Sequence, residues 1–173
     1  KYGYDRAGRL LTTTDAAAFT ETNEYNALGD KTGFVDKSGA KWRYAYDRQG
    51  RLFDQFSPPV AVQLSNETTP TNRSLQTRLY LDAFGSLVKR LEAAQTVDQR
   101  VTEYAYDRVG RQILVVQPGW YDPNTGSVAA SAVAGRFQRS LTTVYDTLGN
   151  RVRTKLRTAI NIYQYEYKAY DNL

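Results

Sequence analysis

The chain of 173 residues contains no cysteine, no histidine and no methionine. Without cysteine there is no disulfide, no thiolate metal site and no thiol nucleophile. Without histidine the commonest general base and the commonest metal ligand are both missing. Proline is scarce, with 5 residues, and tryptophan scarcer, with 2. No run approaches the ~18 consecutive apolar residues that span a bilayer, and no signal peptide is visible at Lys1. What is abundant is tyrosine: 14 residues, against 6 phenylalanines. Tyrosine favours strands, with an apolar ring and a polar tip. Tyrosine-rich runs punctuated by glycine predict an all-β fold.

The tyrosines fall in a repeat. "YGYDRAGRL" begins at Tyr2, "YAYDRQGRL" at Tyr44 and "YAYDRVGRQ" at Tyr104. Set on the frame Tyr-Asp-x-x-Gly, six copies appear. They are Tyr4-Asp5 to Gly8, Tyr25-Asn26 to Gly29, Tyr46-Asp47 to Gly50, Leu81-Asp82 to Gly85, Tyr106-Asp107 to Gly110 and Tyr145-Asp146 to Gly149. Tyr170-Asp171 begins another, and "VDKSG" ending at Gly39 is a half-copy. The first three glycines are 21 residues apart; later spacings are 35, 25 and 39. A constant unit with variable insertions is the signature of a repeat array.

Each unit reads as a hairpin. Alternating tyrosines point to one face of a strand. Asp-x-x-Gly suits a type I turn, with the Asp side chain accepting from backbone amides and glycine taking the subsequent positive φ. Asn26 in place of Asp makes the same turn, and Leu81 in place of Tyr keeps a large apolar group. A catalytic Asp or Tyr tolerates neither exchange. The expected turn-forming residues are therefore Asp5, Gly8, Asn26, Gly29, Asp47, Gly50, Asp82, Gly85, Asp107, Gly110, Asp146 and Gly149. "KWRYAY" and "YQYEYKAY" alternate as strands, and "SLVKRLEAAQ" is expected as strand although it has helix-forming composition.

Two insertions interrupt the array. The first, near 57–75, is rich in Pro, Thr and Asn and is expected as an exposed, irregular excursion. The second, near 117–136, carries turn signals and then a run of small residues. Neither is long enough for a separate domain, so residues 1–173 are expected to form one segment of a longer sheet. A single hairpin cannot bury its own apolar face, whereas stacked neighbours can.

The net charge of +5 invites a nucleic-acid reading. Yet Arg9, Arg51 and Arg111 come directly after the motif glycine, with Arg151 one residue later, each close to a motif Asp. Repeat-locked ion pairing is the expectation, and nucleic-acid binding is not. Glycoside hydrolysis needs two carboxylates ~5–9.5 Å apart across a sugar; here the array sets the Asp spacing and each Asp has a turn to make. No enzyme activity, cofactor or metal is expected.

The motif Y-x-Y-D-x-x-G-R-L resembles the YD repeat of the RHS family, which includes bacterial polymorphic toxins, the B and C components of Tc toxin complexes and animal teneurins. "YAYDRQGRL" and "YDTLGNRV" are similar to the family pattern almost letter for letter. The resemblance implies a segment of a spiralling antiparallel β-sheet that winds into a hollow shell. In the bacterial members the shell encloses a C-terminal toxic polypeptide. The implied partners are the rest of that shell, the enclosed toxin and other toxin-complex or secretion components. The implied location is secreted or at a cell surface. A cell-surface adhesion or carbohydrate-binding module is the alternative the same resemblance allows. Bacterial members also carry a self-cleaving core with Asp-Pro motifs. Asp122-Pro123 with Gly126 shortly after is similar to its opening, but the tyrosine-rich continuation is absent, and these residues read as a turn.

Overall fold

The computed structural model describes residues 1–121, 128–129, 137–159 and 162–169. Asp122-Pro123 and Gly126, most of the second insertion and Tyr170-Asp171 lie outside them. Among the described residues the fold is all-β, with no helix. The strands are β1 Tyr2–Tyr4, β2 Leu10–Thr14, β3 Thr20–Tyr25, β4 Lys31–Val35, β5 Lys41–Tyr46, β6 Leu52–Phe56, β7 Val60–Val62, β8 Thr71–Arg73 and β9 Gln76–Leu81. They continue as β10 Leu87–Glu92, β11 Arg100–Tyr106, β12 Gln112–Val116, β13 Trp120–Tyr121, β14 Val128–Ala129, β15 Ser140–Tyr145, β16 Arg151–Ala159 and β17 Ile162–Tyr167. Thirteen of these strands are linked by antiparallel pairing into one sheet.

The chain divides into two compact units: residues 1–79 with 92–97, and residues 80–91 with 98–173. In the first unit the order is β1-β2-β3-β4-β5-β6-β9. Three YD hairpins, turning at Asp5, Asn26 and Asp47, share one edge. The turns at Asp15 and Asp36 and the 57–75 insertion share the other. This arises from connecting antiparallel neighbours in chain order. In the second unit the order is β10-β11-β12-β15-β16-β17. The turns at Asp107 and Asp146 share one edge, β12 pairs with β15, and β16 pairs with β17.

The pairing breaks register at one recurring place. Across β5 and β6, Ala45 pairs with Asp54 but Tyr46 pairs with Leu52, leaving Phe53 as the extra residue of a bulge. The same shift falls immediately before Tyr4, Tyr25, Tyr106 and Tyr145. A bulge bends and twists a strand locally, so the hairpins turning at Asp5, Asn26, Asp47, Asp107 and Asp146 carry the same kink next to the turn.

Neither face of the sheet is sealed. Every residue of β2, β10 and β15 is half-buried, without the alternation of buried and exposed positions that a one-sided sheet shows. Among the described residues the buried apolar side chains are Leu64, Ala94 and Phe137. Cross-strand contacts do much of the packing instead: Phe34 and Trp42 face each other in the β4–β5 register with ring centroids 5.6 Å apart.

"SLVKRLEAAQ" holds strand β10, where pairing in the sheet outweighs its helix-forming composition. The first insertion is more ordered than its composition suggests. It folds as its own hairpin, β7 against β8, with Leu64 buried beside it and the Glu67 carboxylate bonded to the Leu64 amide and to Arg73.

Candidate functional site

The repeated turn is the candidate site, and its chemistry is local. At Asp47 the Gly50 amide donates to the Asp47 carbonyl at 3.1 Å, closing the turn, and the Asp47 amide donates to the Arg51 carbonyl at 2.9 Å. The Asp47 Oδ1 accepts from the amides of Gln49 and Arg51 at 2.8 and 3.0 Å. Gly50 sits at φ 74°, in the left-handed region that glycine enters at least cost. The same pattern is found at Asp5 with Gly8, Asp82 with Gly85, Asp107 with Gly110 and Asp146 with Gly149. At Asn26 the amide oxygen takes the place of the carboxylate, accepting from Leu28 and Asp30, with Gly29 at φ 96°.

The second carboxylate oxygen bonds the residue directly after glycine. Arg9, Arg51 and Arg111 each donate Nε to it, from Asp5, Asp47 and Asp107, at 2.6, 2.7 and 2.7 Å. In the Asn26 copy the roles invert: Asn26 Nδ2 donates to Asp30 Oδ2 at 2.8 Å. In the last described copy the partner of Asp146 is Asn150, the residue directly after glycine, 3.1 Å away. Arg151 instead begins β16.

Arg9 and Arg111 also reach the next hairpin. Arg9 Nη1 donates to the Asn26 carbonyl at 3.0 Å while its guanidinium lies over the Tyr25 ring, 4.9 Å from the centroid. Arg111 does the same with the Asp146 carbonyl at 3.4 Å and the Tyr145 ring at 4.6 Å. One side chain thus joins its own turn to its neighbour by an ion pair, a hydrogen bond and a cation–π contact.

A second link comes from the motif tyrosine. The hydroxyls of Tyr25, Tyr46, Tyr106 and Tyr145 donate to the carbonyls of Leu10, Lys31, Leu87 and Gln112 at 3.1, 3.0, 2.9 and 3.2 Å. Each acceptor stands five residues after the Asp or Asn of the preceding YD turn. Leu10, Lys31 and Gln112 are the residues that pair with Tyr4, Tyr25 and Tyr106 beside each bulge, so each tyrosine hydroxyl bonds next to the bulge of the preceding hairpin.

The Asp5, Asp47, Asp107 and Asp146 carboxylates are held in their charged form. Bonds from the Arg9 amide and guanidinium hold Asp5 below the usual carboxylate range, and bonds from Arg51 do the same for Asp47. At Asp107 and Asp146 burial pushes upward, but the turn bonds outweigh it and the net shift is down. Among the described residues the carboxylate sunk deepest into a strand is Asp54, 4% exposed. Burial pushes it up, yet Arg78, bidentate at 2.8 and 2.6 Å, and Gln76 bring it below its ordinary value. Such groups make poor proton donors near neutral pH.

Sequence reasoning missed one turn of this type. Asp15 accepts from the amides of Ala17 and Phe19, and the Ala18 amide donates to its carbonyl, with Ala18 at φ 66°. With alanine where the motif has glycine, only the leading Asp signalled it. Among the described residues no group of three or more Asp and Glu side chains is placed to hold a metal ion, and no helix is long and apolar enough to cross a membrane.

Known proteins supply one clear likeness. No family model and no curated protein matches the chain. Among solved structures, the crystal structure of TcdB2-TccC3 without its hypervariable C-terminal region aligns with 99% of this chain at a TM-score of 0.67 and 17% identity. The chain has the fold of a stretch of a Tc toxin component. TcdB2-TccC3-Cdc42 aligns over 89% at 0.59 and 18% identity, and TcdB2-TccC3-TEV over 94% at 0.55 and 17%. The chain spans 9% of the length of the first of these and 7% of the second. At such identity the Tc likeness is one of fold.

Proposed function

We propose that this chain is a wall segment of a hollow YD-repeat shell that encloses a C-terminal toxic polypeptide and helps deliver it. The observation that carries this reading is the alignment of nearly the whole chain with one stretch of TcdB2-TccC3. The chemistry of the repeat supports it, since the recurring polar groups are consumed in holding a hairpin or linking it to the next. A sheet with two half-exposed faces suits a wall with an inside and an outside. On this reading no residue is catalytic, no cofactor is needed, and the partners are the remainder of the shell, its cargo and the complex that delivers them outside the producing cell.

The test is protease protection of the longer protein in which this segment lies. A C-terminal polypeptide enclosed by the array should survive digestion that destroys the same polypeptide expressed alone, and lose that protection when the array is unfolded. Equal digestion rates would contradict the reading.

A second reading, a surface module that binds carbohydrate, draws on β17. Tyr163, Tyr165 and Tyr167 form a row with centroids 6.5 and 6.2 Å apart, and the last two are 48% and 70% exposed. Lys155 lies 3.7 Å from the Tyr163 centroid. Glycan binding that disappears on Tyr167→Ala would favour it.

A further inference from the structure

Three successive cross-strand pairs of β16 and β17 set a cation against a tyrosine. Arg153 pairs with Tyr167, Lys155 with Tyr165 and Arg157 with Tyr163. Directly opposed residues share a face, so three cations and three tyrosines stand together on one face of this strand pair. Glu166 and Gln164, which alternate with the tyrosines, pair with Thr154 and Leu156 on the other face. On the β15 side Arg153 and Lys155 meet Val144 and Thr142. Lys168 directly follows β17 and is exposed.

The charge of this row is not matched by neighbouring carboxylates. Arg9, Arg51 and Arg111 each bond the Asp of their own turn. Among the described residues, by contrast, no carboxylate pairs with Arg153, Lys155 or Lys168. The pairing register carries Glu103 onto the same face, but three strands away, where it pairs with Lys89. A groove of about 490 Å³ opens beside the row, lined by Arg153, Tyr167 and Lys168 together with Val144. Two cations and an aromatic ring in one concavity suit an anion carried on a ring: the cations take the charge and the tyrosine takes the ring.

Two polyanions built from repeating rings meet that description, acidic glycans and single-stranded nucleic acid. The tyrosines decide between them. Single-stranded nucleic acid gains sequence-tolerant affinity by stacking bases on open aromatic faces. Here Tyr165 and Tyr167 lie within 18° of parallel with centroids 6.2 Å apart. That is less than the ~6.8 Å, two stacking spacings, that admits a base between two rings. Lys155 covers the Tyr163 face at 3.7 Å and lies 5.7 Å from the Tyr165 centroid. The row therefore offers ring edges and hydroxyls beside cations. Edges and hydroxyls suit a sugar ring, and the cations select sugars that carry carboxylate or sulfate.

We propose that this face of β16 and β17 binds acidic glycans, with the anionic groups on Arg153 and Lys168 and a sugar ring against Tyr167. The proposal rests on the carbohydrate reading above and narrows it to charged sugars.

The test is isothermal titration calorimetry on the longer protein in which this segment lies. The probes are a heparin oligosaccharide for sulfate, an oligogalacturonate for carboxylate, a malto-oligosaccharide as the neutral glycan and an oligothymidylate as the nucleic acid. At least one acidic glycan should bind more tightly than the neutral glycan and the oligothymidylate, with an affinity that falls as salt rises. Arg153→Gln should weaken that binding about tenfold, the loss of one charge-assisted bond. Arg153→Lys, which keeps the charge, should stay within threefold. Arg48→Gln removes the same charge from an exposed turn of the first unit and should stay within twofold. Unchanged thermal unfolding of the three variants shows that the fold is kept. No acidic-glycan binding, an unchanged constant in Arg153→Gln, an equal loss in Arg48→Gln or a preference for the oligothymidylate would overturn the proposal. Neutral-glycan binding that Tyr167→Ala abolishes and Arg153→Gln leaves intact would overturn it while sparing the carbohydrate reading. Binding of no glycan at all would end both.

Discussion

The two edges of the first unit are built from the same turn with different strictness. On the YD edge, Asp5, Asn26 and Asp47 each lead a turn with glycine at positive φ and a side chain four residues on that bonds back to the leading residue. On the opposite edge the Asp15 turn places Ala18 in the left-handed region, the Asp36 turn uses Gly39, and the third connection is the 57–75 insertion with its own hairpin. The YD edge is also where the Arg and Tyr links run from hairpin to hairpin. Variation is therefore concentrated on the edge away from those links.

The sharpest way to break this contrast is Gly50→Val. A β-carbon at Gly50 meets nothing closer than the Asp30 carboxylate at 3.5 Å, so crowding is not the obstacle. The backbone is: φ 74° strains a β-branched residue. The loss should be about 2 kcal/mol, measured by urea denaturation. An unchanged midpoint would contradict the turn assignment.

Next in size is the hydroxyl link. Tyr46→Phe removes the bond to the Lys31 carbonyl and leaves that acceptor short of a donor. The expected cost is about 1 kcal/mol. Tyr4→Phe, at a residue 61% exposed, should cost nothing measurable in the same denaturation series.

On the opposite edge the sign reverses. Ala18→Gly relieves a left-handed alanine at φ 66° and should gain roughly 0.5 kcal/mol after the entropy of the added glycine is counted. A loss of stability there would mean that the two edges obey different backbone rules.

The smallest effect is a local one of pH. A carboxyl whose folded pKa is lowered contributes stability above its unfolded value, near 3.9, and loses it as pH falls through the folded value. Asp47 is such a group and Asn26 does not titrate. Below about pH 3.9, amide exchange should speed up at Gln49 and Arg51, whose amides bond Asp47, and change less at Leu28, whose amide bonds Asn26.

What the sequence made legible was the short-range part. Asp-x-x-Gly carries its own turn chemistry within five residues, and alternating tyrosines announce strands. The all-β class rests on these two signals. The tyrosine hydroxyls reach carbonyls 15 to 33 residues away, and Arg78 reaches Asp54 across 24. Those partners are set by strand order and by the bulge, which no local pattern encodes. The cations Arg153, Lys155 and Arg157 were in plain view, but the tyrosines they oppose are set by the register of β16 against β17.

The central claim, that the repeat is a wall element, is tested most directly by electron cryomicroscopy of the longer protein containing this segment. The account predicts that these residues form part of a closed shell with polypeptide density inside. An open, extended array with nothing enclosed would contradict it.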